Sequence, residues 1–135
     1  MERILTQEEG DLLFKDLCAR WQYGVIAQIR RSSPNLNKPV MLDLPIKGVI
    51  NFASVYSVIT VTEDGNIVYD SISTCKPYLR PLSSMTDEEK NELLQLMGRG
   101  TDIERVDFYI SHHFDYRCLI PMGLALEAPK DMYKI

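Results

Sequence analysis

At 135 residues, 45% hydrophobic and 25% charged, the chain has the balance of one ordinary globular domain, 1–135, able to build a core without disulfide or metal staples. A formal net charge of -4 and a pI near 5.1 argue against nucleic acid, whose phosphates reward a basic surface. No apolar run approaches the roughly 18 residues of a membrane span. The opening Met1–Gly10 segment carries three acids and no apolar stretch, so neither a membrane contact nor a secretory leader is expected, and the expected location is the cytoplasm.

Three helix starts share one signature. Thr6 with Glu9, Thr86 with Glu89 and Thr101 with Glu104 each spell T-x-x-E ahead of an apolar periodic stretch. The threonine oxygen accepts from the third helical N–H, and the glutamate reaches back to the threonine N–H. The first helix is expected over Gln7–Arg20, with Leu13, Leu17 and Trp21 on its inner stripe, Phe14 and Cys18 widening it, and Gly24 ending it. From Val25 the period changes to two: Val25, Ala27, Ile29; then Val40, Leu42, Leu44; then Tyr56, Val58, Thr60, Thr62. Ser32–Lys38, with Pro34, reads as a polar loop, and Arg30–Arg31 as a charged strand end. Glu63-Asp64-Gly65-Asn66 is a tight-turn signal, followed by Ile67-Val68-Tyr69.

Lys76-Pro77-Tyr78-Leu79-Arg80-Pro81, if extended, points Lys76, Tyr78 and Arg80 to one face. Pro77 and Pro81 delete two donors from one side, so this segment is expected at an edge or rim. The second helix is expected over Asp87–Met97 with Leu93, Leu94 and Met97 buried, and Gly98 and Gly100 break the chain after it. The third is expected over Asp102–His112 with Ile103, Val106 and Ile110 inside. The fold class is therefore α+β: a small curled antiparallel sheet or SH3-like barrel, with an N-terminal helix and two to three C-terminal helices.

Three blocks carry a resemblance. KPYLRPLSSMTDEEK (Lys76–Lys90), HHFDYRCLIPMGLALEAPKDMY (His112–Tyr133) and LCARWQYGV (Leu17–Val25) resemble segments of small proteins of Bacteroides-type gut bacteria and of their phages and prophages. The blocks cover about a third of the chain. The resemblance implies a bacterial or phage cytoplasm and a mobile-element setting; it brings no activity and no catalytic residue. Cys118 stands where those proteins commonly have glycine, and Pro121 where they commonly have an acid, which breaks any helix through that segment.

The one dense cluster of chemical side chains is His112, His113, Asp115, Tyr116 and Arg117. Adjacent histidines on a helix diverge by about 100°, and no third-ligand spacing follows, so no metal is expected. One histidine with Asp115 forms a conceivable acid–base pair, without a nucleophile motif beside it. The structural alternative is a helix end, with Asp115 accepting from the N–H of Arg117 or Cys118 and a docked tail beyond. Lys76, Tyr78 and Arg80 form a second candidate, a basic aromatic stripe for phosphate or single-stranded nucleic acid. Gly98-Arg99-Gly100 lacks the trailing glycine or lysine of a phosphate loop. Cys18, Cys75 and Cys118 are odd in number and widely spaced, and read as buried free thiols. The leading functional expectation is a non-enzymatic binding or accessory protein of phage or mobile-element type, without cofactor, whose partner is a host protein or a small anionic ligand. The alternatives are a small hydrolase or phosphate-transfer enzyme using His112, His113 and Asp115, and a nucleic-acid-binding barrel. Ligand identity and oligomeric state stay open.

Overall fold

The computed structural model describes residues 5–32, 37–53 and 55–133. The central part of the Ser32–Lys38 loop, with Pro34, lies outside them, as do residues 1–4 of the opening segment. The chain divides into two compact units, Met1–Tyr78 and Leu79–Ile135.

The first unit opens with α1 (Gln7–Arg20), whose N-terminus carries the full capping box of Thr6 and Glu9. A short 3-10 turn follows, and Gly24 closes it at φ 79, a left-handed value that a side chain would strain. The buried face of α1 is Gly10, Leu13, Asp16, Leu17 and Arg20. It includes an ion pair with both side chains wholly buried: Arg20 Nε donates to Asp16 Oδ2 at 2.7 Å. That pair stands where the apolar reading placed Trp21 and Cys18. Trp21 is only half-buried and Cys18 is exposed.

One antiparallel sheet pairs β1 (Ile26–Arg31) with β2 (Val40–Pro45) and β6 (Cys75–Leu79). A second runs β3 (Gly48–Phe52), β4 (Val55–Val61), β5 (Ile67–Ser71). The α+β, antiparallel expectation holds, but the strands form two sheets rather than one, and these do not close into a barrel. The chain passes between them in two residues. Ile46 N–H donates back to Val25 O at 3.0 Å, and Lys47 N–H donates forward to Ile59 O at 2.8 Å. Arg31 is more than a charged strand end. Its guanidinium reaches Asp70 on β5 twice, at 3.2 and 2.8 Å, and Thr60 on β4 at 3.2 Å, riveting one sheet to the other. Phe14 of α1 stacks on Tyr56 of β4 with centroids 4.2 Å apart. Leu13, Leu17, Val25, Ala27, Ile29, Ile46 and Val58 form the core between these layers. The Glu63–Asn66 turn forms as read, with Gly65 at φ 84.

The second unit carries α2 (Asp87–Arg99) and α3 (Asp102–Ser111), each with its complete threonine–glutamate capping box. The inner face of α2 is rotated from the expected one. Glu89 is buried, Leu93 and Leu96 are half-buried, and Leu94 and Met97 are exposed. On α3 the buried residues are Phe108 and Ile110, Val106 is half-buried, and Ile103 is exposed. The segment after α3 is a series of turns rather than a helix, as Pro121 dictates, and ends in the two-residue strand β7 (Leu126–Glu127). Among the described residues no helix is long and apolar enough to cross a membrane.

Candidate functional site

The site is assembled around Arg80. Its backbone N–H donates to His113 O at 2.7 Å, and its carbonyl accepts from Asp115 N–H at 2.8 Å, in a parallel bridge to the chain after α3. The neighbouring Leu79 carbonyl points the other way and accepts from Ala128 N–H at 2.8 Å. Leu79 and Arg80 are thus bonded on both flanks, which corrects the edge-strand reading. The prolines do remove donors, but the Leu79 and Arg80 carbonyls and the Arg80 N–H remain, and those are what the tail engages.

The Arg80 side chain is held as firmly. Both terminal nitrogens donate to Glu89, each at 2.7 Å. The guanidinium also donates to the carbonyls of His112 at 3.2 Å and Ser84 at 3.3 Å, and it lies 4.2 Å over the Phe114 ring. Glu89 Oε1 meanwhile accepts from Thr86 N–H at 2.9 Å, so one carboxylate serves as helix cap and counter-charge. Burial pushes the Glu89 carboxyl up, but the Arg80 hydrogen bonds and the Thr86 backbone donor outweigh it and hold the group at about 2.

These contacts decide the second candidate. Tyr78 is buried, and its hydroxyl donates to Asp43 at 2.7 Å and accepts from Gln28 at 3.3 Å; burial, and then Asp43, raise its pKa. Lys76 is half-buried. With Tyr78 and Arg80 buried, the three residues present no exposed stripe to a nucleic acid.

The histidine cluster is brought together, but by packing. His112 caps α3; its Nδ1 lies 2.9 Å from Phe108 O, and its ring packs on Phe108 with centroids 4.4 Å apart. Its Nε2 is 3.8 Å from a Glu92 carboxylate oxygen. His113 adopts φ 64 and stacks on Tyr133, centroids 3.8 Å apart. Tyr116 stacks on Tyr109 at 5.6 Å, and the Arg117 guanidinium covers the Tyr116 ring at 4.8 Å. Asp115 is a clamp, though on different donors from those expected. Oδ1 accepts from Leu119 N–H at 2.8 Å and Oδ2 from Ile120 N–H at 2.9 Å. Cys118, at φ 62, turns the chain between them, so that two successive N–H groups converge on the carboxylate. Its left-handed φ is one that glycine adopts without strain. Among the described residues no group of three His, Cys, Asp or Glu is placed to hold a metal ion.

Sequence reasoning missed the recess beside this scaffold. A cleft of about 800 Å³ is lined by Arg80, Pro81, Ser84, Thr86, Glu127, Ala128, Lys130, Asp131 and Tyr133. Its far wall is the tail, positioned by the Leu79–Ala128 bond and by the His113–Tyr133 stack. No local motif marks it, because its residues come from two segments more than forty positions apart. No protein-family model, curated protein or solved structure matches the chain.

Proposed function

We propose that the chain is a non-enzymatic binding module of the accessory type found on phages and other mobile elements, and that the cleft is its small-ligand site. The observation that carries this reading is the cleft lining. Its volume of about 800 Å³ falls within the ~300–1,000 Å³ of small-molecule sites. Pro81, Ala128 and Tyr133 give it apolar wall, and Ser84 and Thr86 give it polar contacts. Two carboxylates near the cleft are already committed: both oxygens of Asp115 accept from backbone donors, and Glu89 is tied to Arg80.

The charges refine the ligand class. Arg80 is neutralised by Glu89, which leaves Lys130 against Glu127 and Asp131. A purely anionic ligand meets two carboxylates there. A small zwitterion, with a carboxylate for Lys130 and an ammonium for Glu127 or Asp131, matches both signs. The test is amide chemical-shift mapping with free amino acids and, separately, inorganic phosphate. Saturable shifts at Ser84, Thr86, Lys130 and Tyr133 with an amino acid, weakened in Lys130→Met, are expected. Shifts confined to phosphate would restore an anionic ligand, and no shift at these residues with either probe would refute the cleft as a site.

A further inference from the structure

In the register of the second sheet, Gly48 faces Ile59 and Tyr69, Ile50 faces Ser57 and Ser71, Phe52 faces Val55, and Val61 faces Ile67. Residues directly opposite one another share a face, so these ten positions, nine of them with a side chain, form one surface. The other face, with Val58 and Thr60, is the buried one. On the outer surface Ile50, Phe52, Val55, Val61, Ile67 and Tyr69 are between 37% and 76% exposed. It holds two serines and no charged residue. Alternation in an antiparallel sheet ordinarily places polar residues on the water side; here apolar residues occupy both sides.

We propose that this face is a self-association surface, packed against the same face of a second copy. Two features select that occupant. The first is area. With a large side chain exposing about 150–250 Å² in full, those fractions leave roughly 600 Å² of apolar surface on six side chains. Two copies face to face then bury roughly 1,200 Å², the lower bound of a stable interface, before Ile59 and the serines add to it. A monomer's largest apolar patch is itself about 300–600 Å², so this one lies at that limit. The second is charge. The chain carries a net -4, so two copies repel wherever charged surfaces meet. This uncharged face joins them without placing like charges opposite one another, as an isologous contact requires. Two such sheets stack about 10 Å apart with interdigitating side chains.

Sedimentation equilibrium tests the proposal on the wild-type chain alone. A monomer–dimer equilibrium is expected, and a monomer at every concentration up to about 1 mM overturns it, leaving the face to a different protein or a lipid surface. Phe52→Lys with Ile67→Lys places a charge on each edge strand of the sheet, at exposed positions. It is expected to raise the dimer dissociation constant at least about a hundredfold, as desolvating an unpaired charge demands, with circular dichroism unchanged. A dimer that persists in this correctly folded variant points to edge-to-edge strand pairing and equally overturns the face-to-face assignment.

Discussion

Replacing Glu89 with glutamine isolates what the buried ion pair contributes. Glutamine can still cap α2, because a capping box accepts Gln as readily as Glu; only the charge is lost. Arg80 is then left 8% exposed beside Phe114 without its counter-charge. Breaking a buried pair in this way costs about 3–5 kcal/mol. The acid-base chemistry gives an independent figure. A carboxyl held at about 2 instead of its ordinary 4.5 stabilises the folded form by roughly 3 kcal/mol at neutral pH. The sign is fixed by the direction of the shift. The folded value is depressed, so the contribution is complete above about 4.5 and is lost as pH falls from there through about 2. Wild type and Glu89→Gln should therefore differ by about 3 kcal/mol at pH 7 and converge toward pH 2. Arg80→Met in the Glu89→Gln background should recover much of the loss, since it removes the buried charge that Glu89→Gln leaves unpaired. The only tryptophan, Trp21, belongs to the first unit. Hydrogen exchange at the Arg80 and Asp115 amides, which sit in the bridge itself, is the appropriate readout. A Glu89→Gln chain within about 0.5 kcal/mol of wild type, with no pH dependence in the difference, would mean that the pair behaves as a solvated surface contact, and the argument would fail.

Three further outcomes are expected. Thiol labelling of the native chain should modify Cys18 and Cys118, which are exposed, and spare Cys75, which is buried and whose thiol is pushed up to about 12 by burial and then by Asp70; mass spectrometry counts the adducts before and after denaturation. Asp115→Ala should release the amides of Leu119 and Ile120, raise their exchange rates and cost about 2 kcal/mol in the second unit, as the loss of a charged acceptor for one buried and one half-buried donor does. Cys118→Gly should raise the denaturation midpoint by the equivalent of about 0.5–1 kcal/mol, because φ 62 strains a side chain and the gain exceeds the entropy that glycine adds to the unfolded chain; a lower midpoint would contradict that reading.

What was legible in the sequence follows the range of the interactions involved. The three capping boxes depend on residues three apart and form as spelled. The turn at Glu63–Asn66 and the alternation of Ala27, Ile29, Val58 and Thr60 are equally local. Two things were hidden. Asp16, Arg20 and Glu89 lie on buried helix faces, where a pattern that scores only apolar residues puts nothing charged; Glu89 rotated the apparent stripe of α2 toward Leu94 and Met97, both exposed. Its partner Arg80 sits on the extended segment before the helix, and nothing in the spacing announces the match. The strand β3 was invisible for the opposite reason. With Ile50 and Phe52 outward and Val49 inward, its apolar residues do not alternate with polar ones, and the period-two signal vanishes. The same outward residues make up the surface assigned to self-association.

The density of chemical side chains in His112–Arg117 was the natural place to look for a reaction, and the structure explains that density differently. The segment is docked by backbone bonds to α3 and to Arg80 and by its own side chains: His113 N–H donates to Ile110 O and Phe114 N–H to Tyr109 O. His113 O and Asp115 N–H hold Arg80 from outside, while the Asp115 carboxylate holds Leu119 and Ile120 from inside. A chain that runs through turns has few internal ladder bonds, so its amides need side-chain acceptors. An aspartate supplies two at once, and aromatic rings such as Phe114 and Tyr116 supply the burial that a helix would have given. Polar residues concentrated in a turn-rich tail are thus what an ordered tail demands. The proposed ligand site lies one layer out, where Tyr133 stacked on His113 and Ala128 bonded to Leu79 place that tail opposite Ser84 and Thr86 and leave the cleft between them.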